Sequence, residues 1–205
     1  MFRDIVLPRD NEEDFVSMAS NLGYRELCFL YNLKEFKECS KKISAIHSEK
    51  KIKISFGILA RNDNEVIASK RMSDFVVMKS REDVRNTIEK FCPGMIFGVE
   101  LSERKDFMHH RNSGLNQVIA KIAYEKNVIM GIAFNLILKS SGFRRSVLLG
   151  RISQNIRLCR KYKTKIKFFS LATNPLEMRS PNELISLCVN LGMQMPEARV
   201  ALSFD

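Results

Sequence analysis

The chain has 205 residues, 45% of them hydrophobic and 28% charged, and carries a formal net charge of +11. This balance excludes a disordered chain and is enough to bury a core, as one domain or two small ones. The charge is lopsided: residues 1–100 hold 17 basic and 16 acidic side chains, residues 101–205 hold 17 and 7. Such asymmetry points to a polyanionic partner, nucleic acid above all, although a basic chain can also be merely a soluble one.

In chain order, MFRDIVLPRDN has only a short apolar run broken by Asp4 and does not read as a signal peptide. DIVL (4–7) reads as the first strand, and NEEDFVSMASNLGY (11–24) as a helix that begins acidic and stops at Gly23. ELCFLY (26–31) is the second strand, KEFKECSKKISAIHSEKK (34–51) a Lys-rich amphipathic helix, and KISFGILA (53–60) and DFVVM (74–78) the next strands. SREDVRNTIEKF (80–91) is helical, with Ser80 and Asp83 at capping spacing, and MIFGVE (95–100) is a fifth strand.

RNSGLNQVIAKIAYEKN (111–127) places Leu115, Val118, Ile119, Ile122 and Ala123 on one helical stripe, with Asn112 or Ser113 as the expected cap. VIMGIAF (128–134) follows as a strand. A helix over Arg144–Lys163 buries Leu148, Ile152, Ile156 and Cys159, turns Arg157, Arg160 and Lys161 outward, and leaves Arg151 at the border. IKFFSLA (166–172) is the last strand. SPNELISLCVNLGM (180–193) is a marked helix: Ser180 caps it, Pro181 opens it, Glu183 completes the capping box and Gly192 ends it.

The strands are near-continuous Val, Ile, Leu and Phe, as in a parallel sheet covered on both faces. Seven or so βα units leave a doubly wound open sheet or a small barrel. No Gly-rich phosphate loop follows the first strand, and the expectation is a compact α/β barrel of seven or eight parallel strands.

Sites for chemistry are scarce. The three histidines, His47, His109 and His110, form neither H-x-H nor H-E-x-x-H, too few for a catalytic zinc set. No G-x-S-x-G occurs, and the five scattered cysteines read as reduced core thiols of a cytosolic protein. Asp4 and Glu100 read as strand-end polar residues, or alternatively as carboxylates at a barrel mouth. The catalytic and metal sets are therefore expected to be empty.

One signal remains. No acid occurs between Glu125 and Glu177, and Arg144–Lys167 holds nine Lys or Arg. A solvated helix face normally alternates its charges, so unanswered cations suggest an anionic partner. Arg111 ahead of the Asn112/Ser113 cap and Arg179 ahead of Ser180 each combine a cation with a helix start, an arrangement that suits phosphate. Both could equally be structural.

HHRNSGLNQVIAKIAYEKNVIMGIAF (109–134) resembles the R-x-S-G-[IL]-[ND]-x-V-[LI]-A-K-[LI]-A segment of archaeal ribonuclease P protein component 3. SLATNPLEMRSPNELISLCVNLGMQMPEARVALS (170–203) is similar to that family's closing segment, and ASNLGY after DIVLP fits too. The resemblance is strong over 100–134 and 166–203 and loose over 30–95. It implies one domain over 1–205, a TIM-like (β/α) barrel of about seven or eight parallel strands with extra helices, and a subunit of the ribonucleoprotein that removes the 5′ leader of precursor tRNA. The phosphoryl-transfer chemistry would lie in the RNA and its magnesium ions, with no cofactor bound by this chain. The implied partners are the RNase P RNA, protein component 2, the other protein subunits and, through the holoenzyme, precursor tRNA; no membrane is implied and the location is cytoplasmic. The candidate RNA-binding residues are Arg111, Lys121, Arg144, Arg145, Arg151, Arg157, Arg160, Lys161 and Arg179. The fold also resembles the polymerase-and-histidinol-phosphatase barrel, but FRDIVLP stands where that family has its first-strand H-x-H, so its metal site is not expected. The competing reading is a stand-alone barrel phosphoesterase that seats phosphate beside Arg179 and Ser180.

Overall fold

A computed structural model of the chain describes residues 1–39, 52–81, 83–101, 105–109 and 111–203. Seven strands form at the seven apolar runs: β1 (Arg3–Val6), β2 (Glu26–Tyr31), β3 (Lys53–Ala60), β4 (Val76–Lys79), β5 (Met95–Phe97), β6 (Ile129–Ala133) and β7 (Ile166–Phe169). They pair in sequence order, all parallel. In register, Ile5 faces Cys28 and Cys28 faces Ser55; farther round, Val77 faces Met95 and Met95 faces Ile129.

The sheet curls into a nearly closed barrel. Ile5, Cys28, Leu30, Val77, Met95, Phe97, Ala133 and Phe169, drawn from six strands, pack as one buried cluster that fills its interior. A ring of seven strands is narrow, so two inward positions hold no side chain. A Cβ on Gly57 would meet Leu30 Cδ2 and Phe75 Cδ1 at 2.8 Å, and one on Gly131 would meet Met95 Sδ and Phe169 Cε1 at 2.9 Å.

β1 and β7 meet without a ladder. Leu171 N–H donates to Ile5 O at 2.9 Å and Leu7 N–H to Ala172 O at 2.8 Å. Between them Asp4 Oδ1 accepts from Ser170 N–H at 2.7 Å. At the other end of this seam, residues 202–203 serve as a filler. Arg3 N–H donates to Leu202 O at 3.0 Å, Phe2 bridges Ser203, and the Lys167 amine donates to Val200 O and Ser203 O. Asp4 thus seals the wall rather than lining a mouth, and burial pushes its carboxyl up to about 6 against the backbone bond from Ser170. Glu100 is also buried, in a 3-10 turn (Val99–Leu101) just past β5. Burial raises its carboxyl to about 7.

The helices set wholly within the described residues are α1 (Glu12–Leu22), α2 (Asp63–Ser69), α3 (Val84–Asn86, continued by a π-turn over Thr87–Phe91), α4 (Gln117–Glu125), α5 (Phe134–Leu138), α6 (Gly142–Tyr162), α7 (Pro181–Asn190) and α8 (Met195–Ala201). Gly23 ends α1 in the left-handed region, at φ 85°. The capping box at Ser180–Glu183 is present. Two other caps differ from expectation. Asp83, not Ser80, accepts at the start of α3, and Asn116, not Asn112 or Ser113, caps α4. The α4 stripe shifts accordingly: Ile119, Ala120 and Ala123 are buried while Val118 is half exposed. Of the helix expected over 34–51, residues 36–39 are helical. Lys34 and Glu35 form the turn before it, and residues 40–51, with His47, lie outside the described residues, as does His110. Cys28, Cys159 and Cys188 are buried, and none of the five cysteines is in a disulfide. No helix among the described residues is long and apolar enough to cross a membrane.

Candidate nucleic-acid interface

The axis of the basic half is α6. Its apolar stripe lies where the spacing puts it. Leu148, Ile152 and Ile156 join Phe168, Leu184 and Cys188 under α7, and Cys159 packs with the α4 residues Ile119 and Ala123. α6 is therefore wedged between α4 and α7 with one long side to solvent.

Arg151 is not a border residue. Its side chain is 5% exposed, and Nε donates to Asp106 Oδ1 at 2.8 Å. Its Nη1 donates to Glu100 O at 3.0 Å. Asp106 accepts twice more, from Arg111 Nη1 at 2.7 Å and from Asn112 N–H at 3.0 Å. Burial would raise the Asp106 carboxyl, but the bonds from Arg111, Arg151 and Asn112 outweigh it and hold the group at about 2.

The residues after Arg111 are pinned to the same helix. Gln154 Nε2 donates to Arg111 O at 2.8 Å and to Ser113 Oγ at 2.9 Å, and Asn155 Nδ2 donates to Ser113 O at 3.2 Å. Gly150 is the close-approach point, since a Cβ there would lie 3.0 Å from Arg111 Nε. The R-N-S-G run is thus a clip that fastens the β5–α4 connection onto α6. Arg111 does not stand at a helix start, because α4 begins five residues later than its expected cap at Asn112.

Three more candidate arginines are spent on the fold. Arg160 forms a two-pronged pair with Glu197, at 2.8 and 2.6 Å, and also donates to Gly192 O at 2.6 Å. Arg145 Nε donates to Ser140 O at 2.7 Å, closing the α5–α6 turn. Arg179 Nη1 donates to Met178 O at 2.7 Å and Leu176 O at 3.0 Å, and the guanidinium lies 5.8 Å from the Phe134 ring centroid. The start of α7 is already answered by its own Glu183, which accepts from Ser180 N–H and Oγ–H at 2.7 Å.

The other four candidates stand in solvent. Arg144 is exposed with no hydrogen-bond or ion-pair partner among the described residues. Arg157 and Lys161, one helical turn apart, are exposed on the outer face of α6, Arg157 with only a 3.4 Å contact from Nε to Ser153 O. Lys121 is exposed, 3.9 Å from Glu125. Lys163 and Lys165, not among the candidates, are exposed just past the helix end, where Lys163 adopts φ 58°, and line a groove with Arg160 and Glu197. A simple charge count along the acid-free run would have included both. Among the described residues, the acids within ion-pair distance of second-half cations are Asp106, Glu125, Glu177 and Glu197, all from the second half. Among the described residues no group of three or more His, Cys, Asp or Glu is placed to hold a metal ion.

Residues 104–204 match the family model of RNase P subunit p30. The chain resembles the RNase P p30 family. Ribonuclease P protein component 3 of Methanosarcina acetivorans is 39% identical over 104 residues, 49% of this chain. The chain spans 44% of the length of that relative. The protein of the same name from Archaeoglobus fulgidus is 23% identical over 91% of this chain and 81% of its own length. Among solved structures, a chain of archaeal ribonuclease P with mature tRNA superposes with a TM-score of 0.82 at 18% identity, covering 96% of this chain and 86% of that one. The p30-matched half starts beside the Asp106 clip and runs to the segment that fills the β1–β7 seam. It therefore contains the whole of α6 with its exposed cations.

Proposed function

We propose that this chain is a protein subunit of ribonuclease P that binds and activates the catalytic RNA for removal of the 5′ leader from precursor tRNA. The observation that carries the reading is the outer face of α6 and its exit. Arg157, Lys161, Lys163 and Lys165 project from the p30-like half with no carboxylate in that stretch of sequence. Each cation set against a phosphate releases condensed counterions, whereas a carboxylate there would repel the backbone. The chemistry belongs to the RNA and its magnesium ions; this chain contributes position and charge. Its partners on this reading are the RNase P RNA, protein component 2 and the other protein subunits, with precursor tRNA met through the holoenzyme, in the cytoplasm.

The stand-alone phosphoesterase reading loses its anchor. Arg179 is turned to backbone carbonyls and Glu183 occupies the α7 start where phosphate was expected to sit. Reconstitution is the test: precursor-tRNA cleavage at low magnesium, with RNase P RNA and the partner subunits, with and without this chain. Cleavage that rises on its addition supports the proposal. Unchanged cleavage, or phosphatase turnover by the chain without RNA, overturns it.

A further inference from the structure

Phe143 is 83% exposed, in the first turn of α6. A phenyl ring left in water forgoes the stabilisation that burial would give, so its setting bears on what it is for. The turn beneath it is tied down by hydrogen bonds. Gly142 takes φ +50°, with open space where a Cβ would stand, which lets α5 reverse into α6 within a few residues. Arg145 ties that turn down through Ser140 O at 2.7 Å and Leu138 O at 3.3 Å. Ser140 Oγ donates to Leu136 O at 2.7 Å, and Lys139 is 3.5 Å from Glu177. The ring is therefore held out on a fixed frame.

Its surroundings are cationic. A first helical turn ordinarily favours acids, which complement the dipole. This one has none and carries Arg144 and Arg145 instead, and Ser141 makes no side-chain cap bond. Arg144 is exposed and unpartnered among the described residues. Leu176, 74% exposed, lies on the turn before Glu177, the partner of Lys139. A stable protein interface wants roughly 800 Å² per partner and few charges at its centre; one ring and one leucine amid cations do not supply that. Single-stranded nucleic acid wants this combination: an aromatic face for a base and cations for the adjoining phosphates.

We infer that Phe143 is a stacking platform for an unpaired base of RNA, with Arg144 engaging a neighbouring phosphate. The inference rests on the RNA-binding reading above and adds the class of RNA met at this point, a single strand rather than a duplex. The test is fluorescence titration of the full chain with a short single-stranded RNA carrying one 2-aminopurine, beside the same sequence as a duplex. Variants F143A, F143Y and R144A are compared across a salt series, with circular dichroism to confirm their fold. The expected result is that F143A weakens single-strand binding by about tenfold, and abolishes the stacking change in fluorescence, without altering the salt slope. F143Y binds as the wild type does, and R144A lowers the slope by about 0.7. Single-strand affinity unchanged in F143A overturns the inference, as does F143A failing to pair with a partner subunit while keeping its RNA affinity. A wild-type chain that binds neither RNA sinks the RNA-binding reading itself.

Discussion

Replacing Asp106 by Asn removes one charge from a knot of two arginines and a backbone amide while keeping its shape. In the fold the carboxyl sits at about 2, against an ordinary value of 3.8. A depressed carboxylate contributes stability above its unfolded pKa and loses it as pH falls through the folded one. The difference corresponds to about 2 kcal/mol at pH 7, falling to roughly half of that by pH 3. Arg151 is buried and Asp106 is only 17% exposed on its side chain, so solvent screens the pair little. For a chain of this length about 2 kcal/mol lowers Tm by roughly 4–8 °C. The assay is urea and thermal unfolding of wild type and D106N between pH 7 and pH 3. Both proteins share every other titrating group, so the gap between them isolates this carboxyl. A gap equally wide at pH 7 and pH 3, or no gap at either, refutes the account of the knot. Because Asp106 acts by fastening the β5–α4 connection, D106N measured well below its Tm keeps the salt slope of RNA binding.

Glu100→Gln removes a buried carboxyl whose folded pKa is raised to about 7 from an ordinary 4.5. The wild type loses stability as pH rises through that interval, so the variant matches it at pH 4 and exceeds it at pH 8 by an amount of order 1–3 kcal/mol in urea unfolding; a wild type more stable at pH 8 contradicts this. The R157A/K161A double variant lowers the salt slope of binding to RNase P RNA by about 1.4–1.8 with unfolding midpoints unchanged, since both side chains are in solvent; an unaltered slope removes the outer face of α6 from the interface. Arg160→Ala costs about 1 kcal/mol or less, because its pair with Glu197 is more than a third exposed, and moves the slope less than either outward cation does. Ile152→Ala, at a position 1% exposed, lowers stability by about 2–5 kcal/mol without touching the slope of the folded protein.

The sequence by itself determined the local features. β2 and β3 run over the residues that their apolar runs mark, because a strand buried on both faces must be apolar along its whole length. The Ser180–Glu183 box was legible because its bonds span three residues. The same local logic misplaced the α4 cap, since Asn112, Ser113 and Asn116 are all competent acceptors and only the clip onto α6 decides which of them opens a helix. What the tertiary structure alone decided is the fate of the charges. Arg151 finds Asp106 at 45 residues' separation and Arg160 finds Glu197 at 37, while Arg157 and Lys161 on the same helix face water. All four count alike toward +11. A guanidinium is committed or left available by which carboxylate the fold brings within about 3 Å, and Coulomb energy between exposed groups fades over a few residues' distance in water. Charge content is a property of the chain, but charge on offer to a partner is a property of the fold.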